Sequence, residues 1–99
     1  MIPGVSETEQ KIIEGILKAC SKEYYFYYYG SRAKGTHEKS SDLDILIHGK
    51  QEMPSGLLGD LKVQFDESKL PYVVNFTDCH NIDRVFYDRI HKSLVPIDL

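Results

Sequence analysis

Two apolar segments joined by a glycine turn and a polar link constrain this chain more than any other feature. The first, Tyr24-Tyr25-Phe26-Tyr27-Tyr28-Tyr29, is dense in strand-favouring aromatics and stops at Gly30. The second, Asp42-Leu43-Asp44-Ile45-Leu46-Ile47, opens with two carboxylates flanking a leucine. Between them lie Gly30-Ser31-Arg32-Ala33-Lys34-Gly35 and a polar link, Thr36 to Ser41, which reads as a mobile connection closing a hairpin. In a strand, residues i and i+2 point to the same face, so Asp42 and Asp44 project side by side while Leu43 turns away. Carboxylates held so close repel each other unless a cation sits between them, and hard oxygen donors suit Mg²⁺. The Gly30-Ser31 turn offers backbone N–H groups and a hydroxyl where a strand hands over to a helical turn, a place that favours phosphate oxygens. Arg32 and Lys34 supply positive charge for a triphosphate, the arginine in bidentate fashion, with ordinary solvated charge as the competing reading. His37 reads as a surface histidine rather than a ligand. A phosphate cradle and a metal site thus share one stretch.

Gly-Ser, ten residues, then Asp-x-Asp resembles the signature of the DNA polymerase β-like nucleotidyltransferases. The run Gly30-Ser31-Arg32-Ala33-Lys34-Gly35, followed by Ser41-Asp42-Leu43-Asp44-Ile45-Leu46-Ile47, is similar to the minimal nucleotidyltransferase branch of small single-domain prokaryotic proteins. The match joins residue types, spacing and strand–turn–strand context, and it extends more loosely over most of the chain. It implies a nucleotidyltransferase fold and Mg²⁺-dependent transfer of a nucleoside monophosphate, most plausibly AMP from ATP, to an acceptor hydroxyl. It further implies the antitoxin half of a toxin–antitoxin pair, with a HEPN-type ribonuclease as toxin. Some such antitoxins adenylylate a tyrosine of that toxin.

Two metal ions in such a reaction clamp the attacking and leaving oxygens, and three carboxylates usually balance their charge. In proteins resembling this one the third carboxylate lies on the strand after the second helix. On Leu70-Pro71-Tyr72-Val73-Val74-Asn75-Phe76-Thr77-Asp78 that position is Asn75. Asparagine offers a neutral carbonyl to a metal but neither neutralises charge nor accepts a proton as a base. Asp78 would point to the opposite face of a regular strand, so only a bulge would bring it in; the plainer reading is a polar residue at a helix start or on the surface.

At 99 residues, 41% hydrophobic and 27% charged, the chain fits one folded domain spanning 1–99, with a single core. A net charge of −3 supplies no overall basic field and counts against a template-directed polymerase. No apolar run is long enough for a bilayer, and the N-terminus lacks a signal-peptide pattern. Cys20 and Cys79 are isolated, as in a reduced cytoplasmic protein, and Cys79-His80 has no matching pair to complete a zinc site.

Ser6 and Glu9 form a capping-box pattern ahead of Ile12, Ile13, Ile16, Leu17 and Cys20 at helical spacing. Met53-Pro54-Ser55 starts a second helix whose buried face is Leu57, Leu58, Leu61 and Phe65. Leu70 to Phe76 reads as a strand with its proline tolerated at the start. Asn81 then caps a last helix carrying Ile82, Val85, Phe86, Arg89 and Ile90, and Leu94-Val95-Pro96-Ile97 reads as a short edge strand. Strands alternating with helices give an α/β (α+β) class: a small mixed sheet of three to four strands flanked by helices. The aromatic run is a central strand rather than a stacking platform for bases.

Two functions from different classes follow. One is an enzyme in which Asp42 and Asp44 ligate metal, Gly30 and Ser31 hold phosphates, and Asn75 takes the third metal-proximal place. A chain this short has no room for a second domain to bind a small acceptor, which favours a protein acceptor. The other is a catalytically degenerate antitoxin that neutralises the toxin by covering it, which accounts directly for Asn75. A small domain with aromatic strands could form a homo-oligomer through a sheet edge, although no feature fixes the interface.

Overall fold

Ser6 starts the first helix, α1 (Glu7–Lys18), by the reciprocal cap its sequence predicts. Its hydroxyl accepts from Glu9 N at 3.1 Å, and the Glu9 carboxylate accepts from Ser6 N at 3.2 Å. The computed structural model describes residues 2–99, and within them the chain continues through β1 (Tyr24–Tyr29), α2 (Ser31–Lys34), β2 (Leu43–Gly49), α3 (Ser55–Asp66), β3 (Val74–Asp78), α4 (Arg84–Ile90) and β4 (Val95–Pro96). The strands form a mixed sheet in the order β3-β2-β1-β4. β1 and β2 are antiparallel, from Tyr24 opposite Gly49 to Tyr29 opposite Asp44. β3 runs parallel to β2, with Asn75 beside Asp44, and β4 closes the other edge against Tyr27 and Tyr28.

The aromatic strand alternates as a two-sided surface must. Tyr24, Phe26 and Tyr28 join Leu43, Ile45 and Ile47 on one face, packed with Ile13 and Leu17 of α1 and with Leu61 and Phe65 of α3. On the other face Tyr29 and Leu46 pack with Ile90 and Phe86 of α4. β2 is covered on both sides, which is why Ile45-Leu46-Ile47 is an unbroken apolar run. Each such side chain contributes about 1.5–3 kcal/mol by leaving water, so the strand bearing Asp44 is anchored more firmly than its neighbours. Among the described residues no helix is long and apolar enough to cross a membrane.

Three elements differ from the sequence expectation. The strand read from Leu70 begins at Val74, because Pro71 lacks an N–H and the chain bends through Tyr72 before it pairs. The last helix is capped by Asp83, whose carboxylate accepts from Phe86 N at 2.8 Å, and not by Asn81. Asn81 instead ends a 3-10 turn, Cys79–Asn81, that Asp78 caps. The shifted start turns Ile82, Phe86 and Ile90 toward the sheet and leaves Val85 63% exposed.

Candidate functional site

Gly30 stands where β1 gives way to α2, at φ +79° and ψ −147°, a backbone region open essentially to glycine alone. A methyl group there would also lie 2.7 Å from Asp44 Oδ2. The backbone of the turn and the Asp44 carboxylate are therefore in direct apposition. The first i→i+4 bond of α2 runs from Lys34 N to Gly30 O at 3.1 Å, so the N–H groups of Ser31 and Arg32 have no acceptor within the turn.

The β2–β3 register brings the rest of the site together. Asn75 Nδ2 donates to Asp42 Oδ2 at 3.2 Å and to Asp44 Oδ1 at 3.1 Å. The two carboxylates thus converge on one point, held there by the amide nitrogen, while Leu43 between them is fully buried. Convergent carboxylate oxygens are a fitting donor pair for a hard divalent cation, which would displace the Asn75 amide hydrogens from them. Asp42 and Asn75 are exposed and Asp44 half-buried, so the site is an open edge of the sheet and not a cleft. A hollow of about 500 Å³ lies at the far end of the β1–β2 pair, against Tyr25, His48 and Lys50. It holds none of the residues facing the carboxylate pair and is unrelated to this chemistry.

Behind Asp44 lies a contact that sequence reasoning missed. Tyr29, paired with Asp44 across the strands, reaches over β2 to place its hydroxyl 3.1 Å from Thr77 Oγ1. Burial pushes the Tyr29 phenol up, the Thr77 bond opposes this, and the Asp44 charge adds to the rise. The Phe86 ring meets Tyr29 edge-on at 6.1 Å. Only the alternation of the strand, which puts Tyr29 on the Asp44 face, could have hinted at it.

Arg32 does not face solvent as a triphosphate contact would. It is 1% exposed, donating from Nη1 to Pro3 O at 2.8 Å and from Nη2 to Ser41 O at 2.7 Å. Its guanidinium also lies 4.4 Å from the Tyr72 ring centroid. The side chain is enclosed because the N-terminal segment, the 36–41 link and the approach to β3 all close over it. Lys34 remains exposed and free to meet an anion. His37 is half-buried rather than superficial, with its ring against Gly4.

Asp78 is equally removed from the carboxylate pair. It is 5% exposed, and its oxygens accept from Met53 N at 2.8 Å and from His80 N at 2.9 Å. It therefore starts a helical turn, and no bulge turns it toward Asp42. Its donor atoms come within 4.8 Å of those of Cys79 and His80. That trio is otherwise engaged: His80 Nε2 bonds Gly49 O at 2.8 Å, and burial pushes the Cys79 thiol up.

Residues 11–99 match the model of the nucleotidyltransferase domain. The chain is 32% identical over 93 residues to a probable protein adenylyltransferase, MntA, of Haemophilus influenzae, covering 94% of this chain and 82% of that protein. Its fold is similar to a toxin–antitoxin crystallised with AMP-PNP, at a TM-score of 0.72 and 19% identity, over 90% of this chain and 72% of the other. It is also similar to a mutant of the toxin–antitoxin MntA–HpeT, at a TM-score of 0.71 and 17% identity over the same shares, 90% and 72%.

Proposed function

The chain belongs to the nucleotidyltransferase domain family, and from that premise we propose that it transfers AMP from ATP to a hydroxyl on a partner protein, breaking the bond between the α- and β-phosphates and releasing pyrophosphate. In this reading it is the antitoxin of a pair whose toxin is of HEPN type. The observation that carries the proposal is the convergence of Asp42 and Asp44 beside the Gly30-Ser31 turn. Asp42 and Asp44 would hold Mg²⁺, which would supply the positive charge that makes a triphosphate susceptible to attack. Gly30 lets the backbone approach phosphate oxygens, Ser31 offers its hydroxyl and N–H to them, and exposed Lys34 adds charge. Asp44 is kept in place by the buried strand it belongs to and by the Asn75 amide. Asn75 has no carboxylate to take a proton, so the acceptor's proton passes to an oxygen of Asp42 or Asp44, or to water.

The nature of the acceptor is supported by exposure. An open sheet edge accommodates a side chain presented by another protein, whereas a small acceptor is normally enclosed in a pocket. The similarity to a probable protein adenylyltransferase points the same way. The net charge of −3 gives a nucleic-acid acceptor no electrostatic help.

Incubation with α-labelled ATP and Mg²⁺, with and without the product of the adjacent gene, tests the proposal on a denaturing gel. Label on the partner that disappears with EDTA and with Asp42→Ala establishes protein nucleotidylation. A second reading is favoured by the Asn75 bonds to both aspartates, which occupy the acceptor oxygens a metal would need. It is an antitoxin that works by binding, and it is the outcome if no nucleotide labels the partner while the two proteins associate tightly.

A further inference from the structure

We propose that this site takes one divalent ion per chain, not two, and that Asn75 is the residue that sets the number. The inference rests on the function proposed above and concerns the metal stoichiometry of the same site. The donor set facing the turn carries two negative charges, from Asp42 and Asp44, which balance one divalent cation. Asn75 adds no charge, and its Nδ2 already bonds Asp42 Oδ2 at 3.2 Å and Asp44 Oδ1 at 3.1 Å. A single ion and this amide compete for the same two oxygens.

A second ion would need a further carboxylate within a few ångströms. Asp78 follows on the same strand but lies about 10 Å along it, paired with Ile47 rather than Asp44. Both of its oxygens are committed to the N–H groups of Met53 and His80. Two divalent ions close together repel with four times the energy of two unit charges at the same distance. With only two carboxylates present, nothing on the chain offsets that repulsion. Asn75 sits beside Asp44 in the sheet register, so an aspartate at 75 would bring a third carboxylate to the same point.

The test counts ions rather than turnover. The intact chain is titrated with Mn²⁺ without nucleotide, whose phosphates would themselves bind the ion, and bound ion is read from the loss of the free Mn²⁺ paramagnetic resonance signal. One Mn²⁺ per chain is expected for the parent and for Asn75→Ala, which removes the two amide bonds without changing the charge. Two are expected for Asn75→Asp, with circular dichroism confirming that it is folded. Two ions in the parent, or one in a folded Asn75→Asp, overturn the inference and leave the proposed function standing. No ion in the parent or in Asn75→Asp overturns both.

Discussion

The Arg32 guanidinium donates to the Ser41 carbonyl at 2.7 Å, immediately before Asp42 in the chain. The same group lies against Tyr72, just ahead of the strand that carries Asn75. One buried cation therefore ties down both approaches to the carboxylate pair. Replacing it leaves the Pro3 and Ser41 carbonyls without donors, at about 1–3 kcal/mol for each buried group. Arg32→Met is expected to cost on the order of 3 kcal/mol in urea unfolding, and Mn²⁺ affinity falls with it as the 36–41 link loosens. Arg32→Lys recovers only part, because one ammonium cannot span two carbonyls and stack on a ring as a planar fork does.

Gly30→Ala tests the apposition of turn and carboxylate. The positive φ of Gly30 and the 2.7 Å approach to Asp44 Oδ2 act together. The strained backbone alone costs about 1–3 kcal/mol, and the methyl group pushes Asp44 off the point it shares with Asp42. The expected result is lower stability and at least a roughly tenfold weaker Mn²⁺ affinity, the latter corresponding to about 1.4 kcal/mol. Gly35→Ala is the control. Gly35 also has a positive φ, but nothing lies near the added carbon, so stability drops and metal affinity does not.

Asp78→Ala separates a structural carboxylate from a chemical one. Two backbone N–H groups lose their acceptor in a buried setting, which is expected to cost about 3 kcal/mol. Label transfer per folded molecule should be unchanged. A fall in transfer comparable to that of Asp44→Ala would mean that Asp78 takes part in the reaction.

Tyr72 gives the chain a window of alkaline sensitivity. Burial, then the Glu9 charge, push its phenol from 10 up to about 12 against the pull of Arg32. The folded value is raised, so the stability this contributes is complete below pH 10 and is lost as pH rises through about 12. Tyr72→Phe is expected to flatten that part of the stability curve. Paired thermal melts of the two proteins across the window check this, since lysines titrating there affect both alike.

Much of this architecture is written locally. The Ser6–Glu9 cap, the aromatic β1 and the i, i+2 aspartates each depend on neighbours a few positions away, and each forms as its spacing predicts. The family resemblance points to Asn75, and the β2–β3 register sets it beside Asp44. Arg32 carries no such local signal. Its partners, Pro3, Ser41 and Tyr72, meet only after the chain has folded, so its residue type suggests phosphate and its surroundings dictate otherwise. Tyr29 and Thr77 are likewise joined only through the strand order. The start of β3 depends on the bend at Pro71 and Tyr72, and the exposure of Val85 on where Asp83 begins α4.

The strand order has an evolutionary corollary. Asp44 grows from β2, which has a strand on either side and hydrophobic cover on both faces, whereas Asn75 grows from β3, at the sheet's margin, with its side chain in solvent. Exchange at 75 disturbs no packing, and asparagine and aspartate codons differ by a single base. The fold thus keeps its charge-setting position on a replaceable rim, where a single-base change alters the charge facing the aspartate pair without rebuilding the protein.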